Sequence, residues 1–408
     1  MRFLLNGRSR GEYGGGVLEP GPKVVKRDPA LGRTVGASRM GPRLAVYYSP
    51  LVLGHDTGRG TFEAAPSSLL AVSELHPENS VRVQNMVSVL QQGAIAERLD
   101  WHEASPAELD QLVRFHESGY LETLVAMDNE TYRVTPTTVF GKGSWIAVRA
   151  AAGQAIAAVD HVWTAPGTLA YALVRPPGHH AQPAMADGYC FANNIGVAIK
   201  AAQAKGLCRV AVIDWDVHHG NGTQEGFYTD PDVLTVSLHM DHGSWGATHP
   251  QTGATDEAGR GAGLGANLNV PLPLGSGDAA YGAAFDRLVV PTVEEFAPEL
   301  LIVACGQDAS QFDPNGRQGV TMSGFYGLGA RARALADRCC QGRMALVQEG
   351  GYARTYAALC LHTTLQGVLG DEASLADPIA YLPERTEHLE TTLASIETSW
   401  RRACDATR

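Results

Sequence analysis

Lysine is scarce in this chain, with five against 27 arginines, and the 32 basic residues are outnumbered by 43 acidic ones for a net charge of −11. Binding a phosphate backbone needs a surplus of cations, so nucleic acid is not expected as a partner, and no basic helix or recognition motif argues otherwise. The charge suits a neutral or cationic substrate. Cysteine is sparse too. Positions 190, 208, 305, 339, 340, 360 and 404 are odd in number and contain no C-x-x-C, so neither a disulfide framework nor a cysteine-type zinc site is indicated. A reducing cytoplasm fits that usage. No apolar run approaches the ~20 residues of a membrane span, and MRFLLNGRSR turns polar and Gly-rich too soon for an export signal.

What the chain does have is length and apolar content: 408 residues, 44% hydrophobic and 18% charged, enough for one large α/β core. Residues 1–41 form a Gly/Arg/Pro-rich extension, with eight Lys/Arg against three Asp/Glu up to Met40, that cannot build a core of its own. It reads as a loosely attached start or as an arm for a partner or second subunit. The main domain is expected over 42–408. Continuous apolar, β-branched runs at 43–48, 168–174, 209–214, 233–239, 300–305 and 344–349 suit buried parallel strands. Helical stretches at 144–159, 193–206 and 281–296 alternate with them, as in an open, mostly parallel sheet flanked by helices. GRGAGLGAN at 259–267 leads into the strand-like NLNVPLP and not into a helix, so it is expected as a surface loop and not as a dinucleotide site.

Polar residues fall where such a sheet binds ligands. Four runs end directly in unusual chemistry: 168–174 in RPPGHH, 209–213 in DWDVHH, 300–304 in CGQD and 344–347 in QEGGY. All four are carboxyl ends, the side on which open α/β sheets hold their ligands. Asp216 and His218, two apart, can point the same way and share a cation. His179 and His180 are adjacent imidazoles able to handle protons. A hydrolytic metal site follows as the first expectation.

RPPGHHA (175–181), GYCFANNIGVA (188–198), DWDVHHGNGTQ (214–224), VSLH (236–239), CGQDA (305–309) and EGGY (349–352), in that order, resemble the successive motifs of the zinc-dependent histone deacetylase family. The resemblance covers roughly 42–370 and leans to the class II-like and bacterial amidohydrolase-like branch, which includes acetylpolyamine deacetylases. It implies the arginase/deacetylase fold and hydrolysis of an acetyl or small acyl amide on a lysine side chain or small-molecule amine. It also implies metal ligands Asp216, His218 and Asp308, with a position left open for water and substrate. Zinc is the default ion, and this oxygen-rich set can also take Fe²⁺ or Co²⁺. His179 and His180 match the tandem acid/base histidines, supported by Asp214 and Asn221 respectively, which should split their pKa values. His180, without a carboxylate partner, is the better base. Tyr352 matches the residue that stabilises the oxyanion.

The resemblance further implies structural potassium at Asp214 and Ser237 with carbonyls of Asp216, His218 and Leu238. A second monovalent site would use the carbonyls of Phe227, Asp230 and Val233. Gly188 and Tyr189 would wall the acyl channel. Where relatives usually carry an aromatic before Pro-x-Thr-Gly, this chain has His249, which makes the channel more polar; Leu274 stands where polyamine-selective relatives place a glutamate. Two other classes fit the residues less well. A binuclear manganese ureohydrolase of the arginase type needs carboxylates where this chain has His219-Gly220 and Ala309-Ser310. A catalytically silent acyl-binding protein would have little use for His179, His180 and Tyr352 together. Subunit number is left open, a homo-oligomer included.

Overall fold

The computed structural model describes residues 41–58, 68–72, 74–243, 252–377 and 383–405. The expected N-terminal arm, up to Met40, and His249 lie outside the described residues. Residues from Gly41 onward form one compact unit.

Its frame is an eight-stranded sheet. In chain order the strands are β1 Leu44–Tyr47, β2 Leu99–His102, β3 Leu169–Ala172, β4 Val210–Asp214, β5 Val233–Met240, β6 Asn267–Leu272, β7 Leu300–Cys305 and β8 Met344–Gln348. All neighbours are parallel, in the order β2-β1-β3-β8-β7-β4-β5-β6. Every expected strand forms. β2 was not foreseen, because LDWH is short and mostly polar, and that is how an edge strand avoids pairing with another chain.

Successive side chains of a strand face opposite ways, and two cores result. Leu169, Tyr171, Ile213, Val303 and Leu346 point into one; Ala170, Ala172, Val212, Ile302 and Val347 point into the other. The second core is covered by the helices Ser144–Thr164 and Asn194–Gln203, whose alanines let helix and sheet approach closely. Asn193 caps the latter, its side chain accepting the Gly196 amide at 2.7 Å. Helices Val81–Gln92, Met322–Cys339 and Tyr356–Leu369 cover the first core.

The stretch expected as a helix over 281–296 is helical from Asp278 to Phe296, but through a π turn at Phe285–Val289. Pro291 has no amide hydrogen and its ring crowds the preceding turn, which accounts for the widened register just before it. The Gly-rich 259–267 stretch is not a simple surface loop. It forms a 3-10 turn, Gly261–Gly263, and Gly263 is buried.

Candidate active site

β3, β8, β7 and β4 are consecutive neighbours in the middle of the sheet, so the four segments that follow them converge beyond their carboxyl ends. Asp216 and Asp308 are fully buried there. Both carboxylates hold the turn that follows β4: Asp216 Oδ1 accepts the His218 amide at 3.0 Å and Asp308 Oδ1 accepts the Val217 amide at 2.8 Å. Asp216 Oδ2 takes the Gly350 amide at 2.8 Å. His218 Nδ1 lies 3.1 Å from Asp216 Oδ1 and 3.2 Å from Asp308 Oδ2.

Among the described residues, two groups bring possible metal-ligand atoms within 4.8 Å of one another. One is Asp216, His218 and Asp308, and it fits a divalent ion. Asp308 Oδ2 is buried and faces His218 Nδ1 at 3.2 Å outside good hydrogen-bond geometry, so a cation shared with that ring would satisfy it. The site also draws positive charge. Burial pushes the His218 pKa down, yet the carboxylates of Asp216 and Asp308 outweigh it and lift it to about 10. Burial and the neighbouring Asp216 charge raise Asp308 to about 7. The other group, His179, Cys190 and Glu349, is a poor cradle. Burial lifts Glu349 to about 8 and raises the Cys190 thiol, so both are neutral near pH 7, and Glu349 Oε2 already accepts the amides of Gly178 and His179.

The tandem histidines differ as their partners do. His179 Nδ1 is 2.9 Å from Asp214 Oδ2, and His180 Nδ1 is 2.7 Å from Asn221 Oδ1. Burial disfavours charge on both rings. For His179 the carboxylates of Asp216 and Asp214 overcome it and raise the pKa well above the usual imidazole value; for His180, burial followed by the charges of His179 and His218 pushes it well below. Asn221 Nδ2 in turn donates to Asp187 Oδ2 at 3.3 Å, which fixes the amide with its oxygen toward His180. Gly188 closes over the same ring. Its φ is +49°, and a Cβ there would stand 2.2 Å from His180 Cδ2, so only glycine fits.

Tyr352 is buried opposite, with the Tyr189 ring edge-on at 5.6 Å. The Asn315 amide reaches the Tyr189 hydroxyl at 3.3 Å, and the Tyr189 amide donates to Thr138 Oγ1 at 3.2 Å. Behind them Glu78 is buried between Arg82 and Arg175, whose nitrogens lie 2.9 and 2.8 Å from its Oε1. Arg82 also donates to the carbonyls of Gly351 and Glu349, at 2.6 and 2.7 Å, and so braces the segment that carries Tyr352.

Asp214 and Ser237 stand side by side in the β4–β5 register and line, with Gly220, a cavity of about 10 Å³. Leu238 follows in β5. Of the residues of the second monovalent site, Phe227 already has its carbonyl engaged by the Asp230 amide at 2.9 Å. Asp230 is paired with Lys200 at 3.0 Å, and Val233 opens β5. Leu274 is 55% exposed just beyond β6. His219 is held by Thr252 and Gln224, at 2.8 and 2.9 Å, and is not directed at the ligand set.

Five contributors to the site were not read from the sequence: Asp187, Arg82, Glu78, Asp313 and Asn315. The Asp-Pro-Asn-Gly turn at 313–316 was the available signal for the last two.

Together the sheet and the site define a hydrolase-type centre: a cation cradle of two carboxylates and one imidazole beside a split histidine pair, at the carboxyl edge of a parallel sheet. Residues 76–368 match the histone deacetylase domain, and the chain belongs to that family. It is 50% identical over 361 residues to Histone deacetylase 8 of Arabidopsis thaliana, covering 87% of this chain and 96% of that one. With the Histone deacetylase-like amidohydrolase of Pseudomonas aeruginosa it shares 38% over 341 residues, covering 83% and 89%. The crystal structure of the HDA15 HD domain superposes with a TM-score of 0.74 at 30% identity, over 88% of this chain and 94% of that one. The chain is accordingly a deacetylase-type hydrolase of amide bonds, and its sheet is that of the arginase/deacetylase fold.

Proposed function

We propose that the chain removes an acetyl or other small acyl group from a lysine side chain or small-molecule amine, with a single zinc ion held by Asp216, His218 and Asp308. The observation that carries this reading is the unlike pairing of the tandem histidines, Asp214 behind one and Asn221 behind the other, next to the three-residue cradle. A bound zinc ion supplies Lewis-acid polarisation of the amide carbonyl and of water.

The remaining work belongs to the protein. His180, kept neutral, accepts a proton from the attacking water and returns it to the departing nitrogen. His179, kept protonated, supplies fixed positive charge beside it. The Tyr352 hydroxyl donates to the carbonyl oxygen as charge builds there. Gly188 and Tyr189 wall the acyl group, and the sequence departures at His249 and Leu274 favour an amide with a polar or aromatic group over acetylpolyamines. A potassium ion between Asp214 and Ser237 suits their hard oxygens. The second monovalent site is the weaker of the two, since the Phe227 carbonyl already accepts the Asp230 amide.

No helix among the described residues is long and apolar enough to cross a membrane. The cysteines, odd in number and without a C-x-x-C, suit a cytoplasmic protein, and the acidic balance suits small or peptidic amines over nucleic acid. The direct test is a screen of acetyl-lysine peptides, acetylputrescine and small aryl amides, run with metal analysis. Release of acid from an amide by protein holding one zinc per chain supports the reading. Failure on all substrates by zinc-loaded, folded protein would refute it.

A further inference from the structure

Asp313 is five residues beyond Asp308, on the same loop, and 8% exposed. Its carboxylate accepts four backbone N–H groups. Oδ2 takes the amides of Tyr352 and Ala353 at 2.6 and 3.2 Å; Oδ1 takes those of Asn315 and Gly316 at 2.8 and 3.2 Å. The first pair lies on the segment after β8, the second within its own turn. One side chain therefore clamps the loop that bears a cradle carboxylate to the loop that bears the tyrosine.

The clamp is needed because of what precedes Tyr352. Gly350 and Gly351 give that segment little intrinsic stiffness, and Gly351 sits at φ +122°. At one end Gly350 is tied to Asp216. At the other, Asp313 Oδ2 accepts the amides of both Tyr352 and Ala353. The same turn presents Asn315 to the Tyr189 hydroxyl, and Tyr189 packs edge-on against Tyr352. Alongside Arg82, which holds the Gly351 and Glu349 carbonyls, and Thr138, which holds the Tyr189 amide, one carboxylate thus reaches both aromatic walls.

We infer that Asp313 is a positioning residue for the deacetylation step, acting through the Tyr352 backbone on the placement of the phenol and through Asn315 on Tyr189. The inference rests on the reading of Tyr352 as the oxyanion donor. A displacement of about 1 Å in a catalytic group costs on the order of 100-fold in rate.

The experiment is a double-mutant cycle on zinc-loaded protein, with kcat, KM, zinc content and Tm measured for wild type, D313N, Y352F and the double variant. Asparagine keeps the size of the side chain and turns an amide into a face that needs four acceptor positions. D313N should lower kcat roughly 10- to 100-fold with zinc content unchanged, and should lower the Y352F enzyme by less than about twofold. Equal losses in both backgrounds would show that Asp313 acts on the fold at large and would overturn the inference. Full activity of Y352F would instead refute the oxyanion reading beneath it. N315A probes the second arm in case D313N does not fold. It should raise KM several-fold with kcat within about twofold, and unchanged KM would overturn that arm.

Discussion

The guanidinium of Arg82 lies over the ring of Tyr352, 4.6 Å from its centroid. Burial raises the phenol pKa well above its usual value, and the Arg82 charge pulls it partly back. A buried hydroxyl that keeps its proton, but is polarised by a cation behind it, is suited to donating a hydrogen bond and not to acting as a base.

Tyr352→Phe should therefore retain zinc and substrate affinity and lose turnover. Removing one oxyanion donor typically costs ~10²–10³ in kcat. Steady-state kinetics decide the point: a raised KM with unchanged kcat would make Tyr352 a binding residue.

The opposed shifts of the tandem histidines set a pH profile. As pH falls, His180 takes up a proton and can no longer accept one, so kcat/KM drops on a limb below the usual imidazole value; as pH rises, His179 loses its proton and the alkaline limb follows above it. A bell is the expected shape. His180→Ala should cost at least ~100-fold, a general acid/base magnitude. A flat profile, or near-full activity of the variant, would remove the assignment.

Metal content gives an independent check. Asp308→Ala deletes the cradle carboxylate that faces the His218 ring and should lose most of the bound zinc while keeping the circular dichroism of the fold. Two tightly held manganese ions per wild-type chain, measured by atomic emission, would contradict the single cradle.

Glu78 supplies a stability prediction. Burial works against its charge, but Arg175 and Arg82 hold its pKa at about 2, against 4.5 for an ordinary glutamate. A depressed carboxylate stabilises the fold fully above its unfolded pKa, and the gain is lost as pH falls toward the folded value. The linkage amounts to ~3 kcal/mol. Glu78→Gln leaves two arginines unpaired in the interior, so urea unfolding at pH 7 should show a loss of about 3–5 kcal/mol. The gap between wild type and variant should narrow from pH 5 to pH 2. A constant gap would exclude the ion pair as its source.

Much of this site was legible because a parallel sheet concentrates its chemistry at strand ends. RVAVID and LLIVAC announce strands by composition, and whatever follows them must lie at the carboxyl edge, so DWDVHH and CGQD could be brought together before any fold was seen, while the choice of Asp308 as the ligand beside Asp216 and His218 came from the family resemblance. The helices were harder. Tyr356–Leu369 is buried on every side, so it shows no polar face whose period could be read, and the apolar stripe of Met322–Cys339 is diluted by Gly329 and two alanines. Asp313 and Asp187 escaped for another reason. Their roles lie in backbone amides and in a second carboxamide, contacts that depend on how two loops meet and leave no pattern in spacing.

The sheet order has a consequence for how the centre comes together. β8, near residue 344, is inserted between β3 and β7, and Tyr352 follows it. Until that last strand docks, the histidines after β3 and the carboxylates after β4 and β7 belong to two separate edges with a gap between them. The two halves of the centre are therefore joined by the strand that comes last in the sequence of the sheet, and its five residues bring the histidine side, the carboxylate side and Tyr352 into one edge.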